Sequence, residues 1–408
     1  MGYIKQGKLY YNKRKIPGTL FVLLIVMLET CFMSLPGISS IFFTFNNYHN
    51  KRLILLISLV LLLLTSKIKM RKSDIDYIVV YFTMAWLLIA MFSAVSVSSF
   101  GVILNQYYFY GIILLYFPLG KLFDSTDDMY ESFLRIISIT GVIYAAYFIF
   151  AKVMYDTSGV IVFNQLVQNL QRRSGLRLAR PCDFLCFSFI TTLCLMVKKP
   201  KNILYLRLLI IGICIYWVGQ TRLYELLIVI LFLIYLLVYT KVSSKIIALI
   251  VALSLWDSIR SFYEAFIGSF SAKDTLSSTL ARTQGYEIVK YNIFKHYIWG
   301  SGFDGAFQFS QGGWNYALSD LGIIGYFSVW GILGIVFVII VIVRLLLNIK
   351  FIVHDDLKYS CPETLFLSAW FVISCISVSF SDVQRIVYLP FMLLMIRQNL
   401  LIWKGESR

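Results

Sequence analysis

Apolar run follows apolar run along this chain, and few charges interrupt them. Twelve runs reach or approach the length of a hydrocarbon core, at 16–35, 53–66, 76–98, 100–118, 131–154, 181–197, 203–219, 223–240, 246–259, 318–347, 363–380 and 386–402. A helix needs about 20 residues to cross a bilayer. The runs at 53–66 and 246–259 are short, so they need flanking residues or a thin patch of membrane. With 59% hydrophobic and 14% charged residues, the chain is too apolar for a water-soluble globule. The expected fold class is an all-α polytopic membrane protein of about 12 transmembrane helices, with 1–408 as a single integral membrane domain. The first run follows Lys5, Lys8, Lys13, Arg14 and Lys15 and looks like a signal peptide only superficially. It is long enough to span, and an uncleaved first helix is expected.

One stretch breaks the pattern. From Arg260 to Ala317 the apolar runs stop for far longer than a connection requires, so 260–317 is expected to be a large outer loop containing helical segments. Leu280, Ile288, Val289, Tyr291, Phe294 and Ile298 suit a helix lying against a surface. Five of the fourteen residues from Gly300 to Gly313 are then glycine, a backbone able to approach another molecule closely. No internal repeat, low-complexity linker or soluble domain is evident.

The placement of charge is more informative than its sum, 37 − 21 = +16. An even number of spans with a basic amino terminus puts both termini in the cytoplasm, and basic residues are enriched on that side. Two clusters oppose the rule: Arg172, Arg173, Arg177 and Arg180 before the sixth run, and Arg260, Lys273, Arg282, Lys290 and Lys295 before the tenth. Such clusters suit an anionic ligand at the outer face, and equally a solvated loop or arginines meeting lipid phosphates. Arginine's planar fork grips two phosphate oxygens at once, which favours a pyrophosphate. Gln220-Thr221-Arg222, in a tight outer turn, adds a further cation; Arg222 also reads as a snorkelling side chain, with Glu225 as its pair.

Acid–base candidates on the outer side are Asp304, Asp320 and His296, with Glu264, Asp274 and Glu287 behind them. Each also reads as a helix cap or a solvated charge. Glu29, inside the first run, needs a partner. The cysteines lie in or beside apolar runs and read as packing residues, Cys182 and Cys186 on one helix face included. His49, His296 and His354 are too scattered for a metal site, and no phosphate loop, HExxH or GxSxG sequence occurs. Asp74-Ile-Asp76 reads as helix-start charge.

These residues resemble the O-antigen polymerase and O-antigen ligase family, bacterial membrane enzymes that act on polyprenyl-pyrophosphate-linked sugars. The likeness rests on Arg173-Ser174-Gly175 followed by Pro181, on Thr221-Arg222, on Arg282 ahead of Gly300-Ser301-Gly302, and on Asn315 to Gly325 with Leu318, Asp320, Gly322 and Gly325. The resemblance implies that Arg173, Arg222 and Arg282 hold the donor's pyrophosphate, with Arg177 and Arg180 as neighbouring candidates. It implies no cofactor and no metal. Two departures stand out. Trp314 precedes Asn315 where family ligases place a histidine, and Asp320 stands where Glu is common.

The implied function is polymerisation of undecaprenyl-pyrophosphate-linked repeat units at the outer face of the bacterial inner membrane, with Asp320 or Asp304 as base. Expected partners are the lipid-linked donor and acceptor, the bilayer, a chain-length regulator and a flippase, and no nucleic acid. The rivals are a ligase acting on lipid A core and a flippase for the same saccharides.

Overall fold

The computed structural model describes residues 18–30, 47–96, 100–125, 128–160, 167–172, 175–178, 181–246, 285–287, 289–290, 298, 300–302, 310–311, 314–315, 321–354, 357–377, 380 and 385–405. These are helical apart from turns and two short antiparallel hairpins. The helices are α1 (Gly18–Glu29), α2 (Asn47–Leu64), α3 (Asp74–Ser96), α4 (Phe100–Tyr107), α5 (Tyr116–Ser125), α6 (Met129–Ser158), α7 (Pro181–Lys198), α8 (Asn202–Ile213), α9 (Arg222–Ile234), α10 (Gly322–His354), α11 (Glu363–Ser377) and α12 (Tyr388–Trp403). Between α6 and α7, β1 (Val167–Arg172) pairs with β2 (Gly175–Leu178); between α9 and α10, β3 (Ser310–Gln311) pairs with β4 (Trp314–Asn315).

Four described helices, Asp74–Ala94, Met129–Ser158, Asn202–Gly219 and Gly322–Val353, are long and apolar enough to cross a membrane. Gly18–Glu29, Leu223–Tyr239, Glu363–Cys375 and Tyr388–Trp403 are apolar and shorter. The run expected at 100–118 is divided: α4 passes into a 3-10 turn at Tyr108–Leu115 and then into α5. The first departure from α-helix is at Tyr107 (φ −115, ψ 19), and Pro118 bears only on the junction with α5. Within a continuous α-helix it has no N–H to offer the Leu114 carbonyl, whereas in the first turn of α5 none is needed. The run at 246–259 and most of 260–317 lie outside the described residues.

Small residues let α6 and α7 approach closely. Gly141 of α6 faces Ser188 of α7 so tightly that a Cβ at 141 would lie 1.8 Å from Ser188 Oγ. Ser188 Oγ donates to the Ile137 carbonyl at 3.0 Å, and Ser138 Oγ meets Thr192 Oγ1 at 2.9 Å. Among apolar helices, close backbone approach and buried hydroxyl bonds replace the hydrophobic drive that water supplies elsewhere.

α3 and α10 meet through aromatic rings. Trp330 lies 4.9 Å from Phe82 and 5.0 Å from Tyr110, centroid to centroid. There α10 is broken at Gly331 (φ 54, ψ −144). Three backbone hydrogen bonds close the break from outside the helix: Ser301 N to Ser328 O at 2.7 Å, Gly302 N to Val329 O at 3.1 Å, and Ile332 N to Ile298 O at 3.0 Å. The start of the glycine-rich sequence, 300–302, is thereby fastened to α10, and Gly302 also stands against Ser93 of α3.

One end of the bundle is strongly basic. Lys67, Lys69, Arg71, Lys72, Lys199, Lys201, Lys241, Lys350, Lys358 and Lys404 lie in or beside its connections. Among the described residues it holds the half-buried pair Lys198–Glu363 and the buried pair Arg397–Asp124. Asp74 and Asp76 occupy the first turn of α3 there, as helix-start charges should, and bond Arg344 and Tyr116, each at 2.7 Å.

Candidate functional site

At the opposite end α1 finishes and α2, α7, α9 and α12 begin, and their first or last turns carry polar groups into an otherwise apolar bundle. Glu29 at the end of α1 pairs with Lys51 of α2, which answers the need for a partner raised by its sequence position. Beside it, Asn50 Nδ2 donates to the Leu28 carbonyl at 3.1 Å and Tyr144 OH to the Thr30 carbonyl at 3.3 Å.

Glu29 is also an electrostatic neighbour of Asp183, the third residue of α7. Asp183 Oδ1 accepts from the Tyr224 hydroxyl and, at 2.8 Å, from Arg385 Nε; that Nε also donates to the Tyr224 oxygen at 3.1 Å. Both charges of the Arg385–Asp183 pair are largely covered, at 12% and 14% side-chain exposure. Of the helices that begin at this end, α7, α9 and α12 start beside the cluster, so three sets of unsatisfied N–H groups add positive potential to that of the guanidinium.

The turn that carries Arg222 is unusual. Gln220 is the one non-glycine residue with positive φ among those described, at φ 46 and ψ 40, in the position where glycine normally ends a helix. Its N–H donates to the Ile215 carbonyl at 3.0 Å and its amide Nε2 to the Trp217 carbonyl at 3.1 Å. The side chain thus supplies a cap that glycine lacks. Thr221 Oγ1 donates to the Gly219 carbonyl at 3.0 Å and receives Cys182 Sγ at 3.7 Å, which ties this turn to the start of α7.

The β1–β2 hairpin lies on the same turn, with β2 packed against Cys214–Gly219 and α6. Arg177, opposite Gln168 in the register, is in β2. The structure therefore brings together the backbones of two expected arginine sites, the 171–181 segment and Gln220-Thr221-Arg222. In the late segment Gly285 stands against Leu321, so the chain just after Arg282 meets the chain just after Asp320.

Arg173, Arg180, Arg282, His296, Asp304 and Asp320, together with the side chains of Arg177 and Arg222, lie outside the described residues. Glu225 is buried in the first turn of α9. Among the described residues no group of His, Cys, Asp and Glu is arranged to hold a metal ion.

Sequence reasoning passed over Asp183, Tyr224 and Arg385. The signal for Asp183 was present: a carboxylate inside Pro181-Cys182-Asp183-Phe184-Leu185 is as expensive in an apolar run as Glu29. Arg385 and Tyr224 carry no comparable mark, since each sits at a run's edge where such residues are common.

No protein-family model matches the chain, and no curated protein matches it.

Proposed function

We propose that the chain is a metal-independent glycosyltransferase that polymerises undecaprenyl-pyrophosphate-linked oligosaccharide repeat units into O-antigen or capsular polysaccharide. The observation that carries this reading is the seating of the arginine-bearing hairpin on Cys214–Gly219, beside Thr221-Arg222 and the Asp183–Tyr224–Arg385 cluster. In this reading twelve spans cross the bacterial inner membrane. The strongly basic end faces the cytoplasm with both termini, 260–317 forms a large outer loop, and the cluster lies at the outer face.

The chemistry follows from the charges. The anomeric carbon of the growing glycan loses its bond to undecaprenyl pyrophosphate and gains one to a hydroxyl of the next lipid-linked unit. Arg173, Arg222 and Arg282, with Arg177 and Arg180 beside them, stabilise the negative charge that grows on the departing pyrophosphate. Asp320 or Asp304 takes the acceptor proton, with His296 as the third candidate. A flippase would need charged groups along a route through the bundle. Among the described residues the pairs Lys51–Glu29, Lys198–Glu363 and Arg385–Asp183 lie at helix ends, which supports the enzyme.

The test is the purified protein in lipid, given undecaprenyl-pyrophosphate-linked repeat units. Ladders of polymer are expected; transfer to lipid A core would mark a ligase, and movement without new bonds a flippase. Arg222→Ala and Arg282→Ala are each expected to lower polymer yield at least tenfold, in the range seen when one charge-stabilising donor is removed. Unchanged yield and length in both would dispose of the pyrophosphate clamp.

A further inference from the structure

Two arginine-bearing elements meet at one carboxylate. The segment 171–180 runs directly into α7, of which Asp183 is the third residue. Arg222 opens α9 two residues before Tyr224, whose hydroxyl donates to Asp183. Arg385 donates to Asp183 through Nε at 2.8 Å, which fixes the plane of its guanidinium. The Tyr224 hydroxyl closes the triangle by accepting from the same Nε at 3.1 Å.

We infer that Asp183 is a positioning residue for pyrophosphate binding, holding the start of α9 and Arg385 against the start of α7 in one arrangement. This rests on the proposed polymerase reading. Asp183 is itself an anion close to where an anionic donor would sit, so it does not attract the donor. It acts through the groups that it holds. That gives two opposite signs for one substitution. If Asp183 contributed only its charge, neutralising it would remove a repulsion and tighten the donor. If it positions the arginines, neutralising it releases Arg385 and the first turn of α9, and the donor weakens.

The experiment uses the full chain in lipid with undecaprenyl-pyrophosphate-linked repeat units, and separates KM from kcat. Asp183→Asn is expected to raise KM for the donor about tenfold, the scale of one charge-assisted hydrogen bond, and to lower kcat as well, because the arginines it positions also act on the departing pyrophosphate. Tyr224→Phe, which deletes a single hydroxyl, is expected to raise KM about threefold. Arg385→Lys keeps the charge without the fork and is expected to fall between wild type and Arg385→Ala. Inorganic pyrophosphate serves as a second probe: its binding to the purified protein is expected to weaken in Asp183→Asn in step with KM. An unchanged or lowered KM in Asp183→Asn, with Arg222→Ala inactive, overturns the positioning role and leaves the polymerase reading standing. Full activity in Arg222→Ala and Arg282→Ala would instead remove the reading on which the role depends. Should Asp183→Asn fail to fold, Tyr224→Phe decides, and a KM equal to that of wild type refutes the inference.

Discussion

Lys51 on α2 closes an ion pair with Glu29 on α1, and both side chains are buried, at 3% and 5% exposure. Isolating either charge in apolar surroundings costs more than the pair contributes. Lys51→Met is expected to destabilise the folded protein by about 3–5 kcal/mol, and Lys51→Met with Glu29→Leu to restore most of it. Thermal unfolding in a mild detergent measures both. Equal losses in the single and double variants would mean that the two groups do not act as a pair.

The approach of α6 to α7 at Gly141 gives a substitution in which two effects oppose each other. Alanine is the better helix former by about 1 kcal/mol. Its Cβ, however, would stand 1.8 Å from Ser188 Oγ and 2.4 Å from Ser188 Cβ, so the helices must part. Overpacking of this kind costs about 1–3 kcal/mol, which makes Gly141→Ala a net loss. Ser188→Gly in the same chain removes the obstacle and is expected to recover part of that loss in the same unfolding measurement.

Gly331 is a stricter case. Its φ of +54 lies where side chains are rarely tolerated, and a Cβ there would meet Gly300 N and Ile298 O, each at 2.4 Å. Those are backbone atoms that cannot swing away. Gly331→Ala is expected to lower folded yield in detergent several-fold, with strain alone contributing about 1–3 kcal/mol. Gly101→Ala has nothing within 4 Å of the added carbon and serves as the neutral control. Equal yields for the two would contradict the break in α10.

Cys361, just ahead of α11, is a buried free thiol. Burial, followed by the neighbouring Glu363 carboxylate, pushes its pKa up to about 12. Only the thiolate reacts with alkylating reagents, so at pH 8 roughly one molecule in ten thousand is competent at this site. Maleimide is expected to leave Cys361 unmodified in the folded protein and to label it after denaturation, as read by mass spectrometry of the peptide. Rapid labelling at pH 8 in the folded state would place the thiol at a surface.

Uniform apolar runs announced themselves well before any coordinates. The helices at Asp74–Ala94, Met129–Ser158, Asn202–Gly219 and Gly322–Val353 stand where the runs at 76–98, 131–154, 203–219 and 318–347 lie, because length and hydropathy are properties of consecutive residues. What pairs with what is not such a property. Asp183 and Arg385 are 202 residues apart, and Lys198 meets Glu363 across 165, so neither contact leaves a local trace. The division of 100–118 is equally hidden, because a count of apolar residues does not register where a helix tightens. The expected outer-loop site was legible as a pattern of arginines and glycines. Of that pattern, the structure adds the place where Gly300-Ser301-Gly302 is fastened and the turn on which Arg222 stands.

That fastening changes what α10 is mechanically. Ahead of Gly331, Ser328 and Val329 are braced to Ser301 and Gly302; behind it, Ile332 is braced to Ile298 and the Leu333 carbonyl accepts from Tyr81 of α3 at 3.1 Å. The helix is a jointed strut rather than a rod. Because 298–302 is bonded on both sides of that joint, a force applied there acts on both halves of α10 at once, and through Trp330 on the ring of Phe82.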